Sequence, residues 1–311
     1  MSKKSLRPYP RLAKAALLLG GAALALTACG QPAANDSDQQ TGVAGLAVVA
    51  STDVYQDLAQ QVLGEHGQAS SIVTGAAQDP HSYEASPHDK LVLEQADVIV
   101  ANGGGYDPFI DQLTHALKNE DKVITAFRDD DQSAGHKHDH GENEHVWYDL
   151  GLMEEFAVEL GERFGQADPD NAAKYTENAK KLAEELGELH EQVSQIKGSG
   201  DFLATEPVAE YLLLDAGYTN ATNEEFLSAV EHDRDLPPVL LKEAEDTLKD
   251  KKVKFLSYNT QTETSQTVML KKVAEQNDIP FLDFRENLPE GKNFIEWMKD
   301  NIQTISELGA N

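Results

Sequence analysis

Four of the ten histidines fall within ten residues, as His136, His138, His140 and His145 in the run His136-Lys137-His138-Asp139-His140-Gly141-Glu142-Asn143-Glu144-His145. Neutral imidazole suits borderline transition metals such as Zn²⁺. With an ordinary pKa of about 6.5, most such rings carry a free lone pair at neutral pH. A histidine run is also what a solvated polar loop looks like, so the rest of the chain has to separate the two readings.

Four short segments carry further donors, and each follows a candidate strand or loop. Asp79-Pro80-His81-Ser82-Tyr83-Glu84 presents His81 from a stiff turn, because Pro80 fixes its own φ and restrains Asp79. His145-Val146-Trp147-Tyr148-Asp149 places His145 beside two aromatics that can dry its surroundings, while Asp149 can cap a helix. Thr205-Glu206-Pro207 offers Glu206, which can equally serve the N-terminal end of a helix. The segment from Asp283 to Gly291 offers Asp283 and Glu286. Taken singly, each has an ordinary reading as a solvated turn, a cap or a loop acid. Taken jointly, they supply two imidazoles and two carboxylates that can hold Zn²⁺ or Mn²⁺ in a cleft.

The elements that must position these donors alternate. Apolar β-rich runs lie at 46–50, 71–74, 97–101, 122–125, 202–205, 253–258 and 280–283, with amphipathic helix-length segments between them. Such alternation predicts parallel α/β sheets. Ser86, Pro87 and Asp89 predict a capped helix start, and the stretch from Asp235 to Pro238 opens another. One pattern breaks the alternation. From Pro169 to Ile196, apolar residues recur every three or four positions until Gly198-Ser199-Gly200. This reads as a single long helix connecting two α/β lobes.

The start of the chain reads as a targeting segment. Lys3, Lys4, Arg7, Arg11 and Lys14 precede a short apolar run at 15–26, then Leu26-Thr27-Ala28-Cys29. That pattern resembles a bacterial lipobox, with Cys29 as the lipid attachment site. Cys29 is the only cysteine, so no disulfide forms within the chain. Residues 29–45 read as a polar tether. The expected layout is therefore a signal peptide at 1–28, the tether at 29–45, an N-terminal lobe at 46–168, a linker helix at 169–197 and a C-terminal lobe at 198–311. Loss of the signal peptide moves the formal charge from −28 to −33. A surface so acidic argues against nucleic acid as a partner.

Together these pieces resemble the metal-specific solute-binding lipoproteins of bacterial ABC transporters, the zinc and manganese uptake group. The segments that carry the likeness are the lipobox, the His81 and His145 motifs, Asn102-Gly103-Gly104-Gly105-Tyr106-Asp107, the mid-chain helix, Thr205-Glu206-Pro207, Asn259-Thr260-Gln261-Thr262 and Glu286-Asn287-Leu288-Pro289-Glu290-Gly291. The resemblance implies two α/β lobes bridged by one long helix, with a single metal between them. Matched motif by motif, it implies His81, His145, Glu206 and Glu286 as ligands, with Asp283 second choice for the last. It implies a protein on the outer face of the cytoplasmic membrane that hands its ion to a membrane permease, and no enzymatic activity. Glu206 stands where zinc-specific members usually carry a third histidine, which leans toward manganese. The histidine-rich loop leans toward zinc, with His136, His138 and His140 as accessory collectors. Zn²⁺ is the expected cargo and Mn²⁺ the alternative. The rivals are a zinc hydrolase, for which no His-Glu-x-x-His signature is present, and a metal-stabilised adhesin.

Overall fold

The computed structural model describes residues 45–75, 78–127, 143–231 and 234–309. The first half builds β1 (Leu46–Thr52), α1 (Asp53–Leu63), β2 (Gly67–Val73), α2 (Pro87–Gln95), β3 (Val98–Ala101), α3 (Pro108–Leu117) and β4 (Val123–Thr125). Next come α4 (Leu150–Ala167) and α5 (Ala172–Ser194). The second half builds β5 (Asp201–Ala204), α6 (Glu210–Asp215), β6 (Thr219–Asn220), α7 (Glu224–Glu231), α8 (Pro238–Lys249), β7 (Phe255–Tyr258), α9 (Ser265–Gln276), β8 (Phe281–Asp283) and α10 (Phe294–Gly309).

Each half holds a four-stranded sheet, ordered β2-β1-β3-β4 and β6-β5-β7-β8. Every pairing is parallel. Parallel sheets are covered on both faces, so their strands read as apolar runs rather than as alternation. Accordingly β3 and β7 are buried at every residue. In both sheets the order reverses between the first and third strands. In open α/β sheets, the crevice beyond the carboxyl ends of the strands at such a reversal is where ligands bind.

Some boundaries moved from their sequence expectation. Strand β2 begins at Gly67 rather than Ser71, because parallel pairing with β1 recruits Gly67-Gln68-Ala69-Ser70 despite their weak β-propensity. The two-residue edge strand β6 carries no periodicity long enough to read. The Pro169 helix opens as a short 3₁₀ turn, Pro169–Asn171, and turns α-helical at Ala172. There the Asp168 carboxylate accepts from Asn171 Nδ2 and from the Tyr175 hydroxyl, both at 2.8 Å.

Helix α5 runs 23 residues, about 34 Å at 1.5 Å per residue. Its buried stripe, with Tyr175, Ala179, Leu182, Leu186, Leu189 and Val193, packs on α4 and also meets α1, α6 and α10. Helices α4 and α5 approach closely at Gly161, where an added Cβ would sit 2.5 Å from that of Ala179. One core cluster runs from Val48 and Tyr55 of the first half through Phe156 and Leu186 to Phe202, Phe255 and Phe284 of the second. Ser86 closes a capping box with Asp89 ahead of α2, an arrangement worth about 1 kcal/mol. Among the described residues, no helix is long and apolar enough to cross a membrane.

Candidate metal centre

The loops that bear the candidate donors leave the carboxyl ends of their strands. His81 follows β2, Glu206 follows β5, and Glu286 follows β8. His145 comes between β4 and α4, just ahead of a 3₁₀ turn at Val146–Tyr148. Asp149 then caps α4, its Oδ1 accepting from Leu152 N at 3.0 Å.

His81, His145 and Glu286 come together, with one ligand atom from each lying within 4.8 Å of the others. His145 and Glu286 are buried and His81 is half-buried. Among the described residues this is the one such grouping of metal-ligating side chains. Glu206 sits beside it and is joined to it by Asn259, whose Nδ2 donates to Glu286 Oε1 at 2.7 Å and to Glu206 Oε2 at 2.8 Å. Thr262 Oγ1 donates to the other Glu206 oxygen at 2.5 Å. The Tyr106 hydroxyl donates to Glu286 Oε2 at 3.3 Å.

Asp283 lies elsewhere. Its carboxylate accepts from Thr260 N and Thr260 Oγ1, each at 2.9 Å, and faces Arg285 Nε at 3.5 Å. It thus serves the turn after β7. Cys29, His136, His138 and His140 lie outside the described residues.

The walls are aromatic. Trp147 and Tyr148 are fully buried, with the Trp147 ring 5.2 Å from His145 and the Tyr106 ring 4.9 Å from His81. The Tyr148 hydroxyl reaches across to Arg285 O at 2.8 Å. A small cavity of about 100 Å³ opens over the centre between Gln78, Asp79 and Pro80 on one side and Gln261, Thr262 and Asn287 on the other.

The electrostatics of this set are unequal. Burial and the neighbouring His81 charge both push His145 well below the ordinary histidine range, leaving it neutral with a free lone pair. Burial also pushes His81 down. The hydrogen bond and charge of Glu144, with Glu286 and Asp79 adding to them, outweigh that and hold His81 at about 9. Glu206 is pushed up to about 7, by burial first and then by the Glu286 charge. Glu286 is also raised, chiefly by burial. Two buried carboxylates sharing one region resist full ionisation until a cation joins them. The arrangement is thus a largely buried pocket with two imidazoles and two carboxyl groups.

Sequence reasoning left three participants without a role. Glu144 Oε1 lies 3.0 Å from His81 Nδ1, and Asn143 Oδ1 lies 2.9 Å from His145 Nδ1. Asn259 joins the two carboxylates. The available signals were position alone: an amide and an acid directly before His145, and an asparagine directly after a buried strand.

The chain matches the family model described as "Zinc-uptake complex component A periplasmic" over residues 48–308. It belongs to that family. It is 27% identical over 310 residues to the metal ABC transporter substrate-binding lipoprotein ScbA of Streptococcus cristatus, covering 94% of this chain and 96% of that protein. It is also 27% identical, over 311 residues, to the manganese ABC transporter substrate-binding lipoprotein scaA of Streptococcus gordonii, with the same coverage of each. In fold it resembles the substrate-binding protein FpvC of Pseudomonas aeruginosa, solved with Mn²⁺. That match has a TM-score of 0.69 and 19% identity, covering 86% of this chain and 98% of that one. The family sits well with two parallel sheets, a long helix between them and a donor cluster where their loops meet.

Proposed function

We propose that this protein captures a divalent transition metal outside the cytoplasm and delivers it to an ABC permease, with Zn²⁺ as the cargo. The observation that carries this is the convergence of His81, His145 and Glu286, with Glu206 one hydrogen-bonding asparagine away. These donors come from loops of both sheets, so an ion held here would be shared by the two halves. A capture protein needs its ligand sphere closed to water, whereas a zinc catalyst keeps a position open. The aromatic walls and the small mouth favour capture. Attachment through Cys29 would hold the chain on the outer face of the membrane near its permease, as the lipoprotein names of its relatives suggest.

Zinc is favoured because a nitrogen-and-oxygen site generally binds Zn²⁺ more tightly than Mn²⁺. Manganese is the second reading. Glu206 would contribute oxygen rather than nitrogen, and several relatives are named for manganese. Elemental analysis of the protein purified without added metal, paired with competitive Zn²⁺/Mn²⁺ titration, tests both. One tightly held Zn²⁺ per chain is expected. A site that prefers Mn²⁺ in direct competition replaces the cargo, and a chain that binds neither stoichiometrically sinks the reading.

A further inference from the structure

The two candidate imidazoles share an arrangement whose source is one tripeptide. In both rings Nδ1 is already engaged by an oxygen. His81 Nδ1 lies 3.0 Å from Glu144 Oε1, and His145 Nδ1 lies 2.9 Å from Asn143 Oδ1. The Asn143 oxygen is fixed in its role, because it also accepts from the His145 backbone N at 3.1 Å. Its amide nitrogen is turned away, donating to Pro207 O at 3.1 Å and Glu210 Oε2 at 3.4 Å. The tripeptide Asn143-Glu144-His145 therefore supplies one ring and the partners of both. Which nitrogen of a histidine binds metal is set by the hydrogen bond the other makes.

The partners are themselves held. Asn102 Nδ2 donates to Glu144 O at 2.9 Å, and the Tyr211 hydroxyl donates to Asn143 O at 2.6 Å. The Glu144 side chain is only 12% exposed. Pro207 is the residue after Glu206, so Asn143 also ties the His145 loop to the segment that bears the carboxylate opposite.

We propose that Asn143 and Glu144 are positioning residues: each accepts the Nδ1 proton of one imidazole and so commits Nε2 of His145 and of His81 to the ion. This rests on the reading of both histidines as ligands and adds how they are aimed.

The test uses the full chain carrying Asn143→Ala, Glu144→Ala or Glu144→Gln, with His81→Ala as the reference. Zn²⁺ affinity is measured by competition against a chromophoric chelator. The bonded nitrogen is read from long-range ¹H–¹⁵N correlation spectra of the histidine rings in the zinc-loaded protein. Expected are losses of about 10- to 100-fold for each alanine variant, recovery of most of that loss in Glu144→Gln, and Nε2 metallation with Nδ1–H on both rings. Glutamine keeps the acceptor oxygen and nearly the same volume, so it separates aiming from misfolding. Alanine variants within threefold of the unsubstituted protein overturn the proposal, as does metallation through Nδ1. So does an X-ray absorption signal showing one oxygen lost from the zinc shell in Glu144→Ala, which would make Glu144 a ligand. If His81→Ala itself leaves affinity intact, the ligand reading fails instead.

Discussion

The two halves share one strand order and spend it differently. In each, an asparagine directly follows the third strand of the chain order: Asn102 after β3 and Asn259 after β7. Asn102 turns inward to structure. It takes the Tyr55 hydroxyl on its oxygen and donates to Gly103 O and Glu144 O. Asn259 turns to the site and holds Glu206 and Glu286 at once. The first half brings the two candidate imidazoles, and Asn102 holds the backbone just ahead of His145. The second delivers oxygen donors whose side chains are locked by Asn259. One topology thus sets imidazoles on one side and carboxylates on the other, and an ion bound as proposed would be judged by both.

Removing a donor from either face is the largest perturbation. Structural zinc sites are worth about 10–16 kcal/mol in all, so one ligand of four carries about 3 kcal/mol, or roughly two orders of magnitude in affinity. His145→Ala and Glu286→Ala should each cost that much by chelator competition. The histidine loss should weaken Zn²⁺ more than Mn²⁺, and the glutamate loss the reverse. Equal losses for both metals would end the division of labour between the halves. Glu206→Ala is expected to cost at least tenfold, and unchanged affinity would remove it from the site.

The asparagines offer a sharper contrast. Asn259→Ala should lower affinity by about tenfold with a small change in thermal midpoint. Asn102→Ala, which strands buried partners, should cost about 2 kcal/mol of stability with a smaller effect on binding. Denaturant melts and metal titrations on the same samples would show whether the two roles are truly separate.

Protons report the same asymmetry. At pH 7 His81, held at about 9, is protonated, Glu206, at about 7, is half so, and His145 is already neutral. A cation must displace these protons, so affinity falls as pH falls from 8 to 6, by about one to two decades per unit. Calorimetry in buffers of different ionisation enthalpy should find between one and two protons released at pH 7. Release of none would mean that the His81 proton is not displaced by the ion. The smallest effect expected is that of deleting residues 136–140. As an accessory collector, the run should leave primary affinity within about threefold, and a loss matching that of His81→Ala would make it a ligand source.

Much of the frame was readable because it is local. Apolar runs marked the strands, Ser86 with Asp89 marked a helix start, and the three-and-four spacing from Ala172 to Val193 marked α5. The donor loops were readable because each followed a strand. What could not be read is pairwise and distant. Nothing local states that Asn259 reaches both carboxylates, or that Glu144 meets His81 across 63 positions. The choice between Asp283 and Glu286 turned on direction. Asp283 ends its strand bound to the Thr260 turn, while Glu286, three residues on, faces the histidines.

The core that passes unbroken from β1 through α4 and α5 to β5 and Phe284 bears on how long an ion stays. Two lobes on a loose tether could part like jaws and empty the site at once. Here parting them would expose Tyr148, Leu186, Phe284 and their neighbours to water, at about 25 cal/mol for each Å² uncovered. With this core shared by both sheets, a bound ion should slow the unfolding of both together.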